Sequence, residues 1–313
     1  MSELWAITSF FNPAGYNRRI ENYRIFRNHL SVPLATAELS YNGHFVLEES
    51  DSDILVKIKG EDIMWQKERL LNLLVNSLPE ACDYVAWIDC DVIFDSKNWA
   101  MLTMDALDQF KLVQLFEHRE DLPRGAISQN MSQENTTSVS ELSRTSVGYQ
   151  LSHGGPVKND FLRSSGVARA TTGLAWACRR ELLESHSLYD ACIIGGGDRI
   201  ILAAAMGWFD LAVGFHKMSG PWKDHYLSWA RKFYESTHGR VGCVPGRLFH
   251  LWHGDLRDRK YVKRINILKQ HYFDPFTDIV LDSHGIWKWA SDKPDLHKMV
   301  CKYFANRHED GRD

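Results

Sequence analysis

The sequence predicts an α/β fold with a largely parallel sheet. Three observations carry that prediction. Strand-length apolar runs alternate with helical patterns over the first 118 residues. The run Tyr84-Val85-Ala86-Trp87-Ile88 is apolar throughout, as a buried strand requires. Pro13, Gly15 and Pro79 punctuate the connections.

The elements follow in order. Leu4 to Ser9 reads as a first strand. Ile20, Tyr23, Phe26 and Leu30 recur near helical spacing in the segment after it. "PLATAEL" and "DILVKIKG" are short strands, and "MWQKERLLNLLVNSLP" is an amphipathic helix stopped by Pro79. The strand ending at Ile88 follows, then a helix from Trp99 to about Phe110 and a strand in "KLVQLFEH". Residues 119–172 are rich in Ser, Gly, Asn and Thr and read as one long loop or lid. Regular patterning resumes with "TGLAWACRRELLESH", a strand running into a helix. "GGGDRIILAAAMG" then opens a helix from a glycine turn, and "PWKDHYLSWARKFYESTHG" is an aromatic helix. A late strand in "GRLFHLWHGD", a basic helix in "DRKYVKRINILKQHYF" and a helix from about Pro294 to Arg307 complete the chain.

Composition narrows the class. The chain has 313 residues, 44% hydrophobic and 25% charged, with a net charge of −3, which supplies no global basic field for nucleic acid or membrane. No apolar run approaches the roughly 20 residues of a membrane span, and "MSELWAITSFFNPAG" does not read as a secretory signal. Six scattered cysteines without a CxxC pair suit reduced thiols, so a cytoplasmic protein is expected. The sequons at Asn130 and Asn135 are expected to go unused.

Four constellations carry chemistry. Asp89 and Asp91 stand at the carboxyl end of the apolar strand, where ligands gather in open α/β sheets. In extended backbone the two point the same way, so both carboxylates are expected to face one divalent cation, Mg²⁺ or Mn²⁺. His250 and His253 follow the late strand and offer nitrogen ligands that tilt the choice toward Mn²⁺. Asp198 opens a helix after Gly195-Gly196-Gly197 as a cap or as a general base. Arg257, Arg259, Lys260, Lys263 and Arg264 form a basic run, either a solvated face or a phosphate clamp. Each piece alone has a structural reading: D-x-D is common, and histidine pairs are often packed in cores.

In this order, strand-DxD, then "GLAW…GGGD", then "HLWHG" with basic residues, the sequence resembles GT-A-fold glycosyltransferases that use nucleotide-sugars. The likeness is to β-1,4-galactosyltransferase-like and chondroitin-polymerase-like enzymes. It implies a GT-A (Rossmann-like) sheet flanked by helices, with a long acceptor-side loop and C-terminal helices. Residues 1–265 would form the transferase domain: 1–118 the nucleotide-sugar half, 119–172 the loop, 173–265 the acceptor and catalytic half. Residues 266–313 would be a helical extension.

By position, the resemblance makes Asp91 the main metal carboxylate, with Asp89 on the metal or the donor. His253 becomes a metal ligand, His250 a second one, and Asp198 the base. Thr8, Ser9, Phe10, Asn12 and Arg69 would bind the donor, with Arg257 and Arg259 closing over its diphosphate. Gly196, Gly197 and Trp252 would meet the acceptor, although the family's acceptor-binding glutamate is replaced by Gly197. The implied activity is Mn²⁺- or Mg²⁺-dependent, inverting transfer of a hexose or pentose. The donor is a nucleotide-sugar such as a UDP-sugar, and the acceptor a carbohydrate or other hydroxyl compound. The rivals are a metal-dependent phosphoesterase or nuclease, a non-catalytic sugar-binding module, and transfer to a hydroxymethylated DNA base. The net negative charge speaks against the last.

Overall fold

The computed structural model describes residues 3–126, 142–154 and 170–312. In chain order the elements are β1 (Glu3–Phe11), α1 (Asn17–His29), β2 (Leu34–Ser40), β3 (Ile54–Lys59), α2 (Lys67–Val75), β4 (Cys82–Ile88) and β5 (Val92–Phe94). Next come α3 (Trp99–Ala106), β6 (Leu112–Gln114), β7 (His118–Asp121), β8 (Leu142–Ser146), α4 (Val147–Ser152), β9 (Ala170–Thr171), β10 (Ala175–Arg179) and α5 (Arg180–His186). The remainder is α6 (Gly197–Ala205), α7 (Phe209–His216), α8 (Gly220–Thr237), β11 (Val241–Cys243), β12 (Arg247–His250), α9 (Tyr261–Gln270), β13 (Ile279–Leu281), β14 (Trp287–Trp289) and α10 (Pro294–Ala305).

The main sheet has seven strands in the order β11-β6-β10-β4-β1-β2-β3. Every neighbouring pair is parallel except at β10, which runs antiparallel to both β4 and β6. The fold is therefore α/β with a mostly parallel central sheet, as the alternation of patterns implies. Both faces are covered, and strand periodicity divides the core between them. Ile7, Phe11, Val85 and Trp87 pack on one side with Leu70, Leu71 and Leu74 of α2. Leu4, Ala6, Phe10, Ala86 and Ile88 pack on the other with Tyr23 and Phe26 of α1.

A second sheet, β5-β12-β7-β8-β9, does the positioning. In its register His250 sits opposite Asp121 on one side and Val92 on the other. It therefore gathers the turn after β4, the end of β7 and the end of β12 at one place.

The structure departs from the sequence reading in several places. The segment 119–172 contains β8, α4, β9 and most of β7, because backbone pairing to β12 organises residues whose side chains show no apolar period. The sequons at Asn130 and Asn135 lie outside the described residues. α3 stops at Ala106, four residues early. α7 and the β13–β14 hairpin carry no expectation from sequence, both being short. Four cysteines are buried, Cys243 is half-buried and Cys301 is exposed, all as free thiols. Among the described residues no helix is long and apolar enough to cross a membrane.

Candidate active site

A cavity of about 740 Å³ opens at the carboxyl ends of β1 and β4. Ser9, Asp89 and Asp91 reach it from those strand ends, Gly196 and Asp198 from the start of α6, and His250 and His253 from the end of β12. Ligand sites in parallel sheets occupy this edge because the chain must leave the sheet there, freeing side chains from packing.

Asp91, His250 and His253 bring one carboxylate oxygen and two ring nitrogens within 4.8 Å of one another. The two Nε2 atoms are 3.0 Å apart, and His253 Nε2 is 3.2 Å from Asp91 Oδ2. His250 is oriented from behind: its Nδ1 is 2.8 Å from Asp121 Oδ1, which also takes hydrogen bonds from Arg119. A carboxylate behind an imidazole fixes its tautomer and turns the other nitrogen's lone pair outward. Burial would raise the Asp121 carboxyl, but His250 and Arg119 overcome it and hold it at about 2. Burial and the neighbouring Arg259 guanidinium keep His253 far below the ordinary imidazole value, hence neutral and able to ligate.

Asp91 is the unsatisfied member of this cluster. Burial raises its carboxyl above the ordinary value, with His250 and Arg259 only partly opposing. Among the described residues its buried Oδ1 has no hydrogen-bond partner, and His250 Nε2 stands 3.9 Å from it, beyond bonding reach. A desolvated, orphaned carboxylate oxygen beside two imidazoles fits a divalent cation, and an O,N,N donor set suits Mn²⁺.

Asp89 meets a different fate. The strand expectation placed it beside Asp91 on one cation, but β4 ends at Ile88 and residues 89–91 turn instead of continuing extended. Its carboxylate goes to Lys67, 2.6 Å away, and Lys67 Nζ also lies 3.1 and 3.2 Å from the two oxygens of Asp198. Lys67 is the first residue of α2, whose start is fixed by Trp65 N–H donating to Ile193 O and by Gln66 bonding both N–H and C=O of Trp287. Burial alone would lower the ammonium, but Asp198 and Asp89 push it up instead. Asp198 is raised above the ordinary carboxyl value by burial, against the pull of Lys67. That shift moves a carboxylate toward the strength a general base needs.

The glycine turn is dictated by its neighbours. Gly196 has φ of 103°, and a Cβ there would lie 2.6 Å from His216 Cε1. At Gly197 a Cβ would run into the Glu68 carboxylate. Glu68 is buried, accepts the Trp65 indole N–H at 3.1 Å, and is pushed up to about 8 chiefly by that burial. A carboxylate from α2 thus fills the side-chain space of Gly197, which does not line the cavity.

The C-terminal segment reaches under the Asp91–His250–His253 cluster. Glu309 pairs with Arg19 at 3.0 Å and Arg307 at 2.6 Å, and its Oε1 is 4.0 Å from His253 Nδ1. Burial opposes its charge, but the arginines hold it at about 2. Leu296, Val300 and Phe304 of α10 belong to the same core as α2.

Of the residues singled out in the sequence, Ser9, Asp89, Asp91, Gly196, Asp198, His250, His253, Arg257 and Arg259 line the cavity. Arg259 lies against the His253 ring and donates to its carbonyl at 3.0 Å, while exposed Arg257 pairs with Asp255. The others lie elsewhere. Thr8 donates to Ile88 O at 2.6 Å inside the sheet, and Phe10 packs edge-on against Tyr23. Asn12 brackets Tyr16, and Arg69 pairs with Asp190 at 3.2 Å. Trp252 is held between Arg18 and Arg124. Sequence reasoning missed Lys67, Arg119, Asp121, His216 and Glu309. Only "WQKE" before an apolar helix gave any signal, a lysine at a helix start where a carboxylate is preferred.

No family model matches the chain, and no curated protein matches it. Solved structures do. Mycobacterium tuberculosis glucosyl-3-phosphoglycerate synthase, solved with Mn²⁺, UDP-glucose and phosphoglyceric acid, is similar at 12% identity over 92% of this chain and 86% of that one, with a TM-score of 0.41. S. aureus TarS 1-349 is similar at 10% identity over 98% of this chain and 71% of that one, with a TM-score of 0.38. Scores this low leave the assignment of function to the site itself.

Proposed function

We propose that the chain is a metal-dependent glycosyltransferase of the GT-A type, moving a sugar from a nucleotide-sugar to an acceptor hydroxyl with inversion. One observation supports it above the rest: a helix-start carboxylate, Asp198, and the Asp91–His250–His253 cluster open onto the same cavity. A cavity of about 740 Å³ falls within the range of small-molecule sites.

A divalent cation held by Asp91, His250 and His253 would supply Lewis-acid neutralisation of the leaving diphosphate. Everything else falls to side chains. Asp198, ionised beside Lys67, accepts the proton of the acceptor hydroxyl. The freed oxygen attacks the anomeric carbon as the bond from that carbon to the phosphate oxygen breaks, and the nucleoside diphosphate departs with the electron pair. Attack opposite the leaving group inverts the centre, as in the two-carboxylate logic of inverting glycosidases. Lys67 balances Asp89 and Asp198 without being consumed. Arg257 and Arg259 approach the departing phosphates from the segment after β12.

The test is a melting-temperature screen of UDP and UDP-sugars with and without Mn²⁺, followed by product analysis with the donor that binds. Stabilisation by nucleotide that depends on metal, and transfer lost in Asp198→Asn, is the expected result. Cleavage of phosphodiesters without sugar transfer would move the reading to a metal-dependent hydrolase.

A further inference from the structure

The segment that brings His253, Arg257 and Arg259 to the cavity has no sheet to hold it. β12 ends at His250, and the chain then passes through one 3₁₀ turn, Leu256–Arg259, before α9 begins. In that turn Arg257 and Arg259 line the cavity, while Asp258 between them does not and is only 3% exposed. A buried carboxylate needs a partner. Among the described residues Arg312 meets it: its guanidinium donates to both Asp258 oxygens, from Nε to Oδ2 at 3.2 Å. Arg312 itself lies outside the cavity lining, with its side chain 52% exposed.

The stretch that carries Arg312 is anchored on both sides. The Asp310 carboxylate accepts hydrogen bonds from the backbone N–H groups of Arg18 at 2.7 Å and Asn17 at 3.1 Å. α1 has no side-chain cap of its own and no acid in its first turn, so Asp310 takes the cap's place from the far end of the chain. The His308 N–H donates to the Tyr16 hydroxyl at 3.0 Å, and that hydroxyl donates to Ala305 O at 2.9 Å. Gly254, next to His253, leaves room for the same stretch: a Cβ there would lie 2.6 Å from His308 O. Residues 308–312 thus clasp the start of α1 on one side and the 254–258 segment on the other.

Resting on the transferase reading above, we infer that Arg312 is a positioning residue for the arginines that meet the diphosphate. By pairing with Asp258 it keeps that acid turned inward, and so keeps Arg257 and Arg259 turned to the cavity. Three residues complete one 3₁₀ turn, so 257, 258 and 259 point in three directions about one axis. Without Arg312 the Asp258 carboxylate would be buried and unpaired, a state relieved by rotating it out to water. That rotation carries both flanking arginines off the cavity wall. Arg312 therefore acts on the phosphates without reaching them.

The experiment compares the full chain with Arg312→Gln and with Asp258→Asn/Arg312→Gln. Calorimetry measures UDP affinity with Mn²⁺ present, and hydrogen exchange read by mass spectrometry follows residues 252–260 without ligand. The Arg312 side chain is half exposed, so its replacement leaves a folded protein, and melting curves verify both variants. In Arg312→Gln, UDP should bind at least about fivefold more weakly, the loss of charge-assisted contacts to phosphate. Exchange over 252–260 should quicken at least about fivefold in the same variant, with the rest of the chain unchanged. The double variant should return to within about twofold of wild type in both measurements, because an uncharged asparagine stays inside without a counter-ion. Where wild type binds UDP, unchanged UDP affinity in Arg312→Gln would overturn the inference. So would a loss that persists in the double variant, or exchange that rises throughout the chain, which marks a merely structural role. Absence of UDP binding in wild type would instead sink the transferase reading. The exchange arm then decides the inference alone: quickening over 252–260 that the double variant reverses supports it, and unchanged exchange overturns it.

Discussion

The two ends of the cavity treat buried carboxylates in opposite ways. At one end Asp89 and Asp198 share the Lys67 ammonium, so the protein neutralises its own charge. At the other, Asp91 faces two imidazoles and, among the described residues, keeps an unbonded buried oxygen and receives no comparable cation at bonding distance. Two aspartates separated by one residue thus sit in different surroundings: one ion-paired to the lysine that also holds Asp198, the other beside two imidazoles. The difference originates in the turn at residues 89–91, which ends the strand geometry that would have aligned them.

The largest effect that sharpens this contrast is on turnover. Asp198→Asn keeps the shape of the site and removes its proton acceptor, so kcat should fall about 10³-fold, in the range of general-base losses. Mn²⁺ and nucleotide affinity should stay unchanged in calorimetry. Next comes Lys67→Met, which strands two carboxylates against a buried apolar chain. We expect a loss of about 3 kcal/mol in urea unfolding, as for a broken buried pair. Mn²⁺ affinity should be unchanged, because the metal end does not depend on this lysine.

A pH titration probes the support beneath the metal end. Folding holds Glu309 at about 2, below the ordinary 4.5. Its contribution is therefore complete at neutral pH and is lost as pH falls from about 4.5 through about 2. Wild type should exceed Glu309→Gln by about 3 kcal/mol at pH 6 in urea melts, and that margin should shrink across this acid window. The smallest expected effect is that of Asp121→Asn, which loosens the His250 ring. It should weaken Mn²⁺ binding about 10- to 100-fold while leaving stability at the Lys67 end intact.

Much of this was legible in the sequence, for reasons that can be named. An apolar run that ends in acids marks a strand leaving the core, and it located Asp89 and Asp91. A glycine run before an aspartate and an apolar helix located Asp198. The misplacements share one cause, side-chain direction. Of the expected donor residues Thr8, Ser9 and Phe10, strand alternation turns only Ser9, with Phe11, toward the cavity. On α2 the cavity is lined by Lys67 and not by Arg69, because residues two apart on a helix point about 200° apart. Asp121 was hidden in a polar stretch that is ordered by pairing with β12, and Glu309 in a charged tail that reads as solvated. Both reach the histidine pair only through tertiary contact, which local patterning does not encode. At Gly197, an expected acceptor contact, the side-chain space is filled by Glu68, some 130 residues earlier.

The central claim is that Asp91, His250 and His253 hold a divalent cation and that Asp89 does not. Mn²⁺ binding followed by electron paramagnetic resonance on wild type, Asp91→Asn and Asp89→Asn tests it most directly. One bound ion in wild type, lost by at least ~100-fold in Asp91→Asn and changed less than about threefold in Asp89→Asn, is the predicted outcome. Equal losses in the two variants, or none in Asp91→Asn, would contradict it.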